Sequence, residues 1–249
     1  MPETRSEKFS GFSPKALTFF RQLAKNNDRD WFKLHKSEYD TLLKEPMLLL
    51  LAQLNSNLAR FAPDHVTEPK KAIYRIYRDT RFSKNKIPLK LNISAMFGHR
   101  LLPKNYCSGY YFHVSATECF VGVGVYMPEP EALKALRDTI AADTKRFEKL
   151  INEPKLKKRM GTLSGDKLVR VPKGYDPAHP AAEYLKLKQF SFFKQFKPQL
   201  ALDKSFGDEV AKSFDACAPF SAYLNQIILS TVREEDATPD APKRPTPMF

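Results

Sequence analysis

The chain has 249 residues, 42% apolar and 28% charged, enough to bury one sizeable core. None of its uncharged apolar runs nears the ~20 residues that span a bilayer, and its first residues lack the apolar stretch of a secretory signal. Three cysteines without CxxC spacing (Cys107, Cys119, Cys217) argue against a disulfide framework or a structural zinc site and for a reducing, cytoplasmic setting, while 41 Lys and Arg against 28 Asp and Glu leave a net charge of +13.

Residues 1–11 and 233–249 are polar, the latter with four prolines, and both are expected to be disordered. Ser13-Pro14 is a helix start, followed by Leu17, Phe20 and Ala24 on one face and stopped by Asn26 and Asn27. Asp28 caps a second helix with Trp31, Phe32, His35, Tyr39 and Leu42 at helical spacing. Glu45-Pro46 opens a third, striped by Met47, Leu51, Leu54, Leu58 and Phe61. These stripes read as core-facing.

The period then changes. Residues 71–79, 109–116 and 118–127 are rich in aromatic and β-branched residues and predict strands, the last two as a hairpin. In the third, Cys119, Val121, Val123 and Val125 share a core face, and Phe120, Gly122, Gly124 and Tyr126 the other. Glycines there leave room for a helix packed close, or for a ligand beside Tyr126. Pro130 opens a long helix with Leu133, Leu136, Ile140, Phe147 and Ile151 as its spine, and a short basic helix ends at Gly161. Residues 167–171 predict a fourth strand, 172–180 a proline-rich loop, and 205–217 and 219–232 two final helices. The order predicts an α+β fold with a helical N-terminal part, a central mostly antiparallel sheet and C-terminal helices, in a single domain over 12–232.

The positive charge is concentrated. Residues 70–104 hold ten Lys or Arg and one Asp, residues 155–173 hold seven and one, and residues 184–204 hold five and one. Clustering of one sign favours phosphates, nucleic acid or acidic surfaces as partners.

The densest piece is "YRIYRDTRFSKNK", 74–86. As an extended segment it directs Arg75 and Asp79 one way and Arg78 the other. Asp79 is the only carboxylate nearby and satisfies at most one or two of Arg75, Arg78 and Arg81. An arginine fork without a carboxylate is matched to phosphate. Three readings stay open. One is a site for a phosphate-bearing ligand, nucleotide or nucleic acid, built by Arg75, Arg78, Arg81 and Lys86 with Lys90, Lys173 and Tyr126. Another is an enzyme on a small anionic substrate, assisted by Asp79 or Tyr126, although a carboxylate between arginines is a poor general acid. The third is an interaction scaffold with structural arginines and a protein partner the sequence leaves unnamed.

The pattern Arg75-x-x-Arg78-Asp79-x-Arg81-Phe82, followed by Asn85-Lys86-x-Pro88, resembles the signature of a bacterial family of conserved hypothetical proteins, domain of unknown function 2461. "NNDRDWF" (26–32), "GVGVYMP" (122–128) and "PKGYDPAHP" with "LKLK" (172–188) match it too, so the resemblance runs over about 12–232. Leu89 stands where the family usually has an aromatic residue. The resemblance implies a shared fold and no established activity.

No other motif names a chemistry. The glycines of "GVGVYMP" lack the third glycine of a dinucleotide fingerprint. The five histidines have no HxH or HExxH spacing, so no metal or other cofactor is expected. His35 reads as a half-buried packing histidine, and His113 and Cys119 could meet across the predicted hairpin.

Overall fold

Pro14 presets the first helical φ, and α1 (Pro14–Lys25) follows Ser13 and ends at Asn26. The structure, a computed structural model, describes residues 8–232 apart from Phe82 and Asn105. Most of the two expected disordered ends lies outside those residues. Phe9, within the first of them, is buried against Phe12 and Phe206. Ala24 of the expected α1 face is exposed; Ala16, Leu17, Phe19, Phe20 and Leu23 form the buried face instead.

The second expected helix is divided. Asp28 accepts hydrogen bonds from the Asp30 and Trp31 amides and so caps α2 (Arg29–Leu34). The chain breaks at His35, whose ring stacks on Trp31 at 3.9 Å. It resumes as α3 (Lys36–Tyr39), a π-helical turn (Asp40–Lys44) and α4 (Glu45–Phe61). Met47, Leu50, Leu51, Leu54 and Leu58 of α4 are all buried. A 3-10 turn, Pro63–His65, and a single helical turn, α5 (Pro69–Ala72), lead to the sheet.

Four antiparallel strands lie in the order β1 (Asn92–Phe97), β2 (Gly109–Ser115), β3 (Cys119–Val125) and β4 (Phe190–Phe196). The expected hairpin is β2–β3, with Val114 opposite Cys119 and Gly109 opposite Gly124. Gly124 is needed where it stands: its φ is +141°, and a Cβ there would lie 2.1 Å from the Phe190 carbonyl oxygen. Neither glycine faces a helix; the Phe193 and Phe120 rings lie over Gly122.

Two strand expectations fail. Residues 71–79 form α5 and then an extended arm joined to the sheet only by the bridges Ile73–Ala95 and Tyr77–Leu89. Residues 167–171 give a single bridge, Lys167–Leu187.

One face of the sheet is sealed. Ile93, Ala95, Phe97, Tyr110, Phe112, Val114, Val121, Val123, Phe190 and Phe192 are each at most 1% exposed. Over them runs α10 (Phe206–Leu229), one helix of 24 residues where two were expected. Pro219 lies inside it without ending it. Proline in a helix interior costs ~3 kcal/mol, and here Phe214, Cys217, Phe220 and Leu224 are buried on either side of it. The expected helix over 130–151 is broken at Asp143 into α6 (Pro130–Ala142) and α7 (Thr144–Ile151), because Asp143 leaves helical geometry (φ −140°, ψ 70°) and caps Arg146. Then come α8 (Pro154–Met160), ended by Gly161 at φ +82°, and the short α9 (Ala182–Leu185).

A buried polar knot ties α10 to the chain entering β2. Asn225 Oδ1 accepts the Ser108 amide at 2.8 Å, and its Nδ2 donates to the Ser108 carbonyl at 2.9 Å. The same carbonyl lies 3.1 Å from His65 Nε2, and Ser108 Oγ donates to Ser221 Oγ at 2.9 Å. Burial pushes the His65 imidazole down to about 4. Among the described residues no helix is long and apolar enough to cross a membrane, and no group of His, Cys, Asp and Glu could hold a metal ion.

Candidate functional site

The second face of the sheet is built differently. Strand alternation places Asn92, Ser94 and Met96 of β1 there, with Tyr111 and His113 of β2, Phe120 and Gly122 of β3, and Ser191, Phe193 and Gln195 of β4. Asn92, Met96, Tyr111, His113, Phe120 and Phe193 are partly exposed and Gln195 is exposed, in contrast to the sealed face. In register, one row reads Met96, Tyr111, Gly122, Phe193 and the next reads Ser94, His113, Phe120, Gln195. The Tyr74 amide bonds the Ser94 carbonyl at 2.9 Å, extending the second row onto the arm.

A hydrogen-bonded chain crosses this face. Tyr111 Oη lies 3.1 Å from His113 Nδ1, and His113 Nε2 lies 3.2 Å from Glu118 Oε1. Gln195 Nε2 donates to Glu118 Oε2 at 2.5 Å. A carboxylate only accepts, so Nε2 carries the imidazole proton and Nδ1 accepts from the tyrosine. Burial pushes the His113 imidazole down, with Glu118 opposing, and pushes the Tyr111 phenol up to about 12. The sequence offered Tyr111 and His113 two apart on a strand, a weak signal without the register. His113 and Cys119 do not meet: His113 faces this side, and Cys119 is fully buried on the other with its Sγ 3.8 Å from the Pro198 carbonyl.

The basic arm borders the face at β1. Arg78 N donates to the Pro88 carbonyl and Lys90 N to the Ile76 carbonyl, so the arm folds back on itself. Asn27 fixes the returning limb, with Nδ2 donating to the Leu89 carbonyl at 3.1 Å and Oδ1 accepting the Leu89 amide at 3.0 Å. The position where the family usually has an aromatic residue is thus fully inside, with Leu89 1% exposed.

The arm sorts its charges into two sets. Arg81 grips Asp79 with two bonds, at 3.0 and 2.7 Å, and holds its carboxyl down at about 2. Lys86 donates to the Thr80 carbonyl at 3.0 Å. These residues shape the tip. Arg75 and Arg78 make no side-chain hydrogen bond or ion pair among the described residues. Lys90 sits 4.9 Å from the centre of the Tyr74 ring, and its ammonium is pushed down by burial, then by Arg75 and Arg78. Lys104, which the sequence did not single out, lies 4.4 Å from the same ring and donates to the Lys71 and Ala72 carbonyls. Burial pushes it down to about 8.

The other two expected site residues lie elsewhere. Tyr126 follows the end of β3 that pairs with Phe190, whereas the arm runs from Ala95 past the opposite end of the sheet. Lys173 belongs to a loop held on α6 by the 2.7 Å bond from Tyr175 Oη to Asp138. Two adjoining clefts, of about 460 and 440 Å³, flank Arg146 and Tyr223 between α7, α6 and α10, and include none of the expected site residues.

Fold and surface together define an α+β protein with one sealed and one partly exposed sheet face, the latter bordered by cations of which Arg75 and Arg78 form no ion pair among the described residues. The chain belongs to the conserved hypothetical protein family DUF2461, whose model matches residues 15–223. No curated protein matches it.

Proposed function

We propose that the protein binds a phosphate-bearing ligand at the arm, through Arg75, Arg78 and Lys90 with Lys104 behind them. The observation that supports this is the gathering of cations beside the arm: Lys90 and Lys104 lie over the Tyr74 ring, Arg75 and Arg78 lie near Lys90, and the nearest carboxylate, Asp79, is gripped by Arg81. Like charges held together cost energy, which an anion with several oxygens removes; arginine forks offer it paired donors.

A thermal-shift titration with inorganic pyrophosphate and mononucleotides at low salt tests it. A ligand at one hundred times its Kd adds about 2.7 kcal/mol, and a tenfold weaker one at the same concentration about half of that, so the expected rise in Tm is large and should be roughly halved in Arg78→Ala. An unchanged Tm, or a rise undiminished in that variant, sinks the reading.

A second reading, an enzyme on a small anionic substrate, draws on the Tyr111–His113–Glu118 chain, because His113 Nδ1 is arranged to take a proton. It loses Asp79, firmly ionised beside Arg81. Hydrolysis of a small phosphate ester, absent in His113→Asn with pyrophosphate binding retained, is its expected signature.

A further inference from the structure

We propose that the open sheet face is a platform for single-stranded nucleic acid, with bases on the aromatic rows and phosphates along the cationic arm. This names the ligand class of the site above and rests on that reading.

The aromatic residues are contiguous. Tyr74 lies 6.3 Å from Tyr111, Tyr111 6.3 Å from Phe120, and Phe120 5.3 Å from both His113 and Phe193, centre to centre. They extend from the arm to β4, four strand spacings or about 19 Å. Gly122 keeps the middle low: a Cβ there would meet the Phe193 ring at 3.1 Å and the Phe120 ring at 3.3 Å. A four-stranded sheet of this kind accommodates two or three unstacked bases.

The face is not sealed as a core would be, since Asn92, Tyr111, His113, Phe120 and Phe193 all keep part of their surface open. Gln195, exposed at the β4 end of the second row, adds a polar edge for a base to meet.

Charge placement selects the strand number. Arg75, Arg78, Lys90 and Lys104 lie along one border, while the aromatic residues occupy the middle. A duplex keeps its bases stacked inside and shows phosphates on both strands, so it would leave the aromatic rows unused. A single strand puts its phosphates on one side and its bases on the other, as the surface is divided.

The test uses the full chain and a labelled twelve-nucleotide single strand, its duplex, and pyrophosphate. At low salt the single strand should bind at least tenfold more tightly than the duplex. Phe193→Leu combined with Phe120→Leu should weaken the single strand by about tenfold or more, from lost stacking, and leave pyrophosphate binding unchanged. Arg78→Ala should weaken both. Equal affinity for duplex and single strand, or full single-strand affinity in the leucine variant, overturns the platform while leaving the arm reading in place. No binding of either pyrophosphate or oligonucleotide overturns both. Should the leucine variant fail to fold, photocrosslinking of a bromouracil-substituted strand to the unaltered protein decides the matter. Crosslinks in peptides of β2, β3 or β4 carrying Tyr111, Phe120 or Phe193 support the platform, and crosslinks confined elsewhere overturn it.

Discussion

The basic stretch at 70–104 and the pair at 155–173 and 184–204 look alike in the sequence, but their surroundings differ. In the later pair, cations that approach one another share a carboxylate. Glu183 accepts from Lys167 and Lys186 and is held down at about 2, and Glu209 lies between Arg159 and Lys212. Lys194, beside Arg159, has Glu209 opposing the repulsion. In the first stretch Lys90 meets Arg75 and Arg78, and the local carboxylate is bound to Arg81. A count of charges along a chain therefore locates basic residues but says nothing about which carboxylates the fold brings to them. Glu183, at the edge of the second basic window, and Glu209, from α10, complete the second region; among the described residues no carboxylate is hydrogen-bonded to Arg75 or Arg78.

The largest expected effect is a background that any pH comparison of the two regions must subtract. His65, down at about 4 in the fold against 6.5 free, binds fewer protons folded than unfolded. Stability is therefore full above about pH 6.5 and falls as pH drops towards 4, by on the order of 3 kcal/mol. His99 and His113 are pushed the same way and add to it. Urea unfolding at pH 7 and pH 4.5 measures the loss.

Next, Arg159→Ala breaks the later region. It removes bonds to Ser213 Oγ, the Glu209 carbonyl and the Glu209 carboxylate, all part-buried, and should cost about 2 kcal/mol in urea unfolding. Arg78→Ala should do the reverse, leaving stability within about 0.5 kcal/mol and lowering pyrophosphate affinity about tenfold, or ~1.4 kcal/mol. If Arg78→Ala destabilises as Arg159→Ala does, the two regions are alike after all.

A pH series sharpens the contrast further. Lys104 is pushed down to about 8, so affinity for pyrophosphate should fall as pH rises through about 8, below the ~10.4 of a free lysine. Lys104→Arg should move that fall upward. The smallest effect is Lys167→Ala, an exposed pair with Glu183, expected below about 0.5 kcal/mol.

Much of this architecture is legible in the residues, and the failures have causes. The β2–β3 hairpin showed because valines alternate with smaller or aromatic residues over 119–125. β1 hid because "NISAMF" carries one β-branched residue, and its strand state comes from pairing with β2. β4 hid because Phe190, Phe192 and Phe193 crowd the alternation, although only the first two face the core. The arm looked like a strand by composition but pairs only at Ile73 and Tyr77. Pro219 suggested a helix boundary that burial on both sides overrides. Of the site, the arginine cluster was visible locally, and the Tyr111–His113–Glu118 chain is local to β2 and its turn. Lys104 reaches Tyr74 from the loop between β1 and β2, which no local pattern carries.

The cover of the sealed face is made after the sheet it covers. α10 begins at Phe206, after every strand, and it covers Val121, Val123 and Phe192. A ribosome adding about 5–20 residues per second exposes that greasy sheet surface for many seconds before its cover emerges. A nascent chain of this protein thus carries a sticky half-structure until α10 clears the exit tunnel, and its safe passage depends on whatever shields it there.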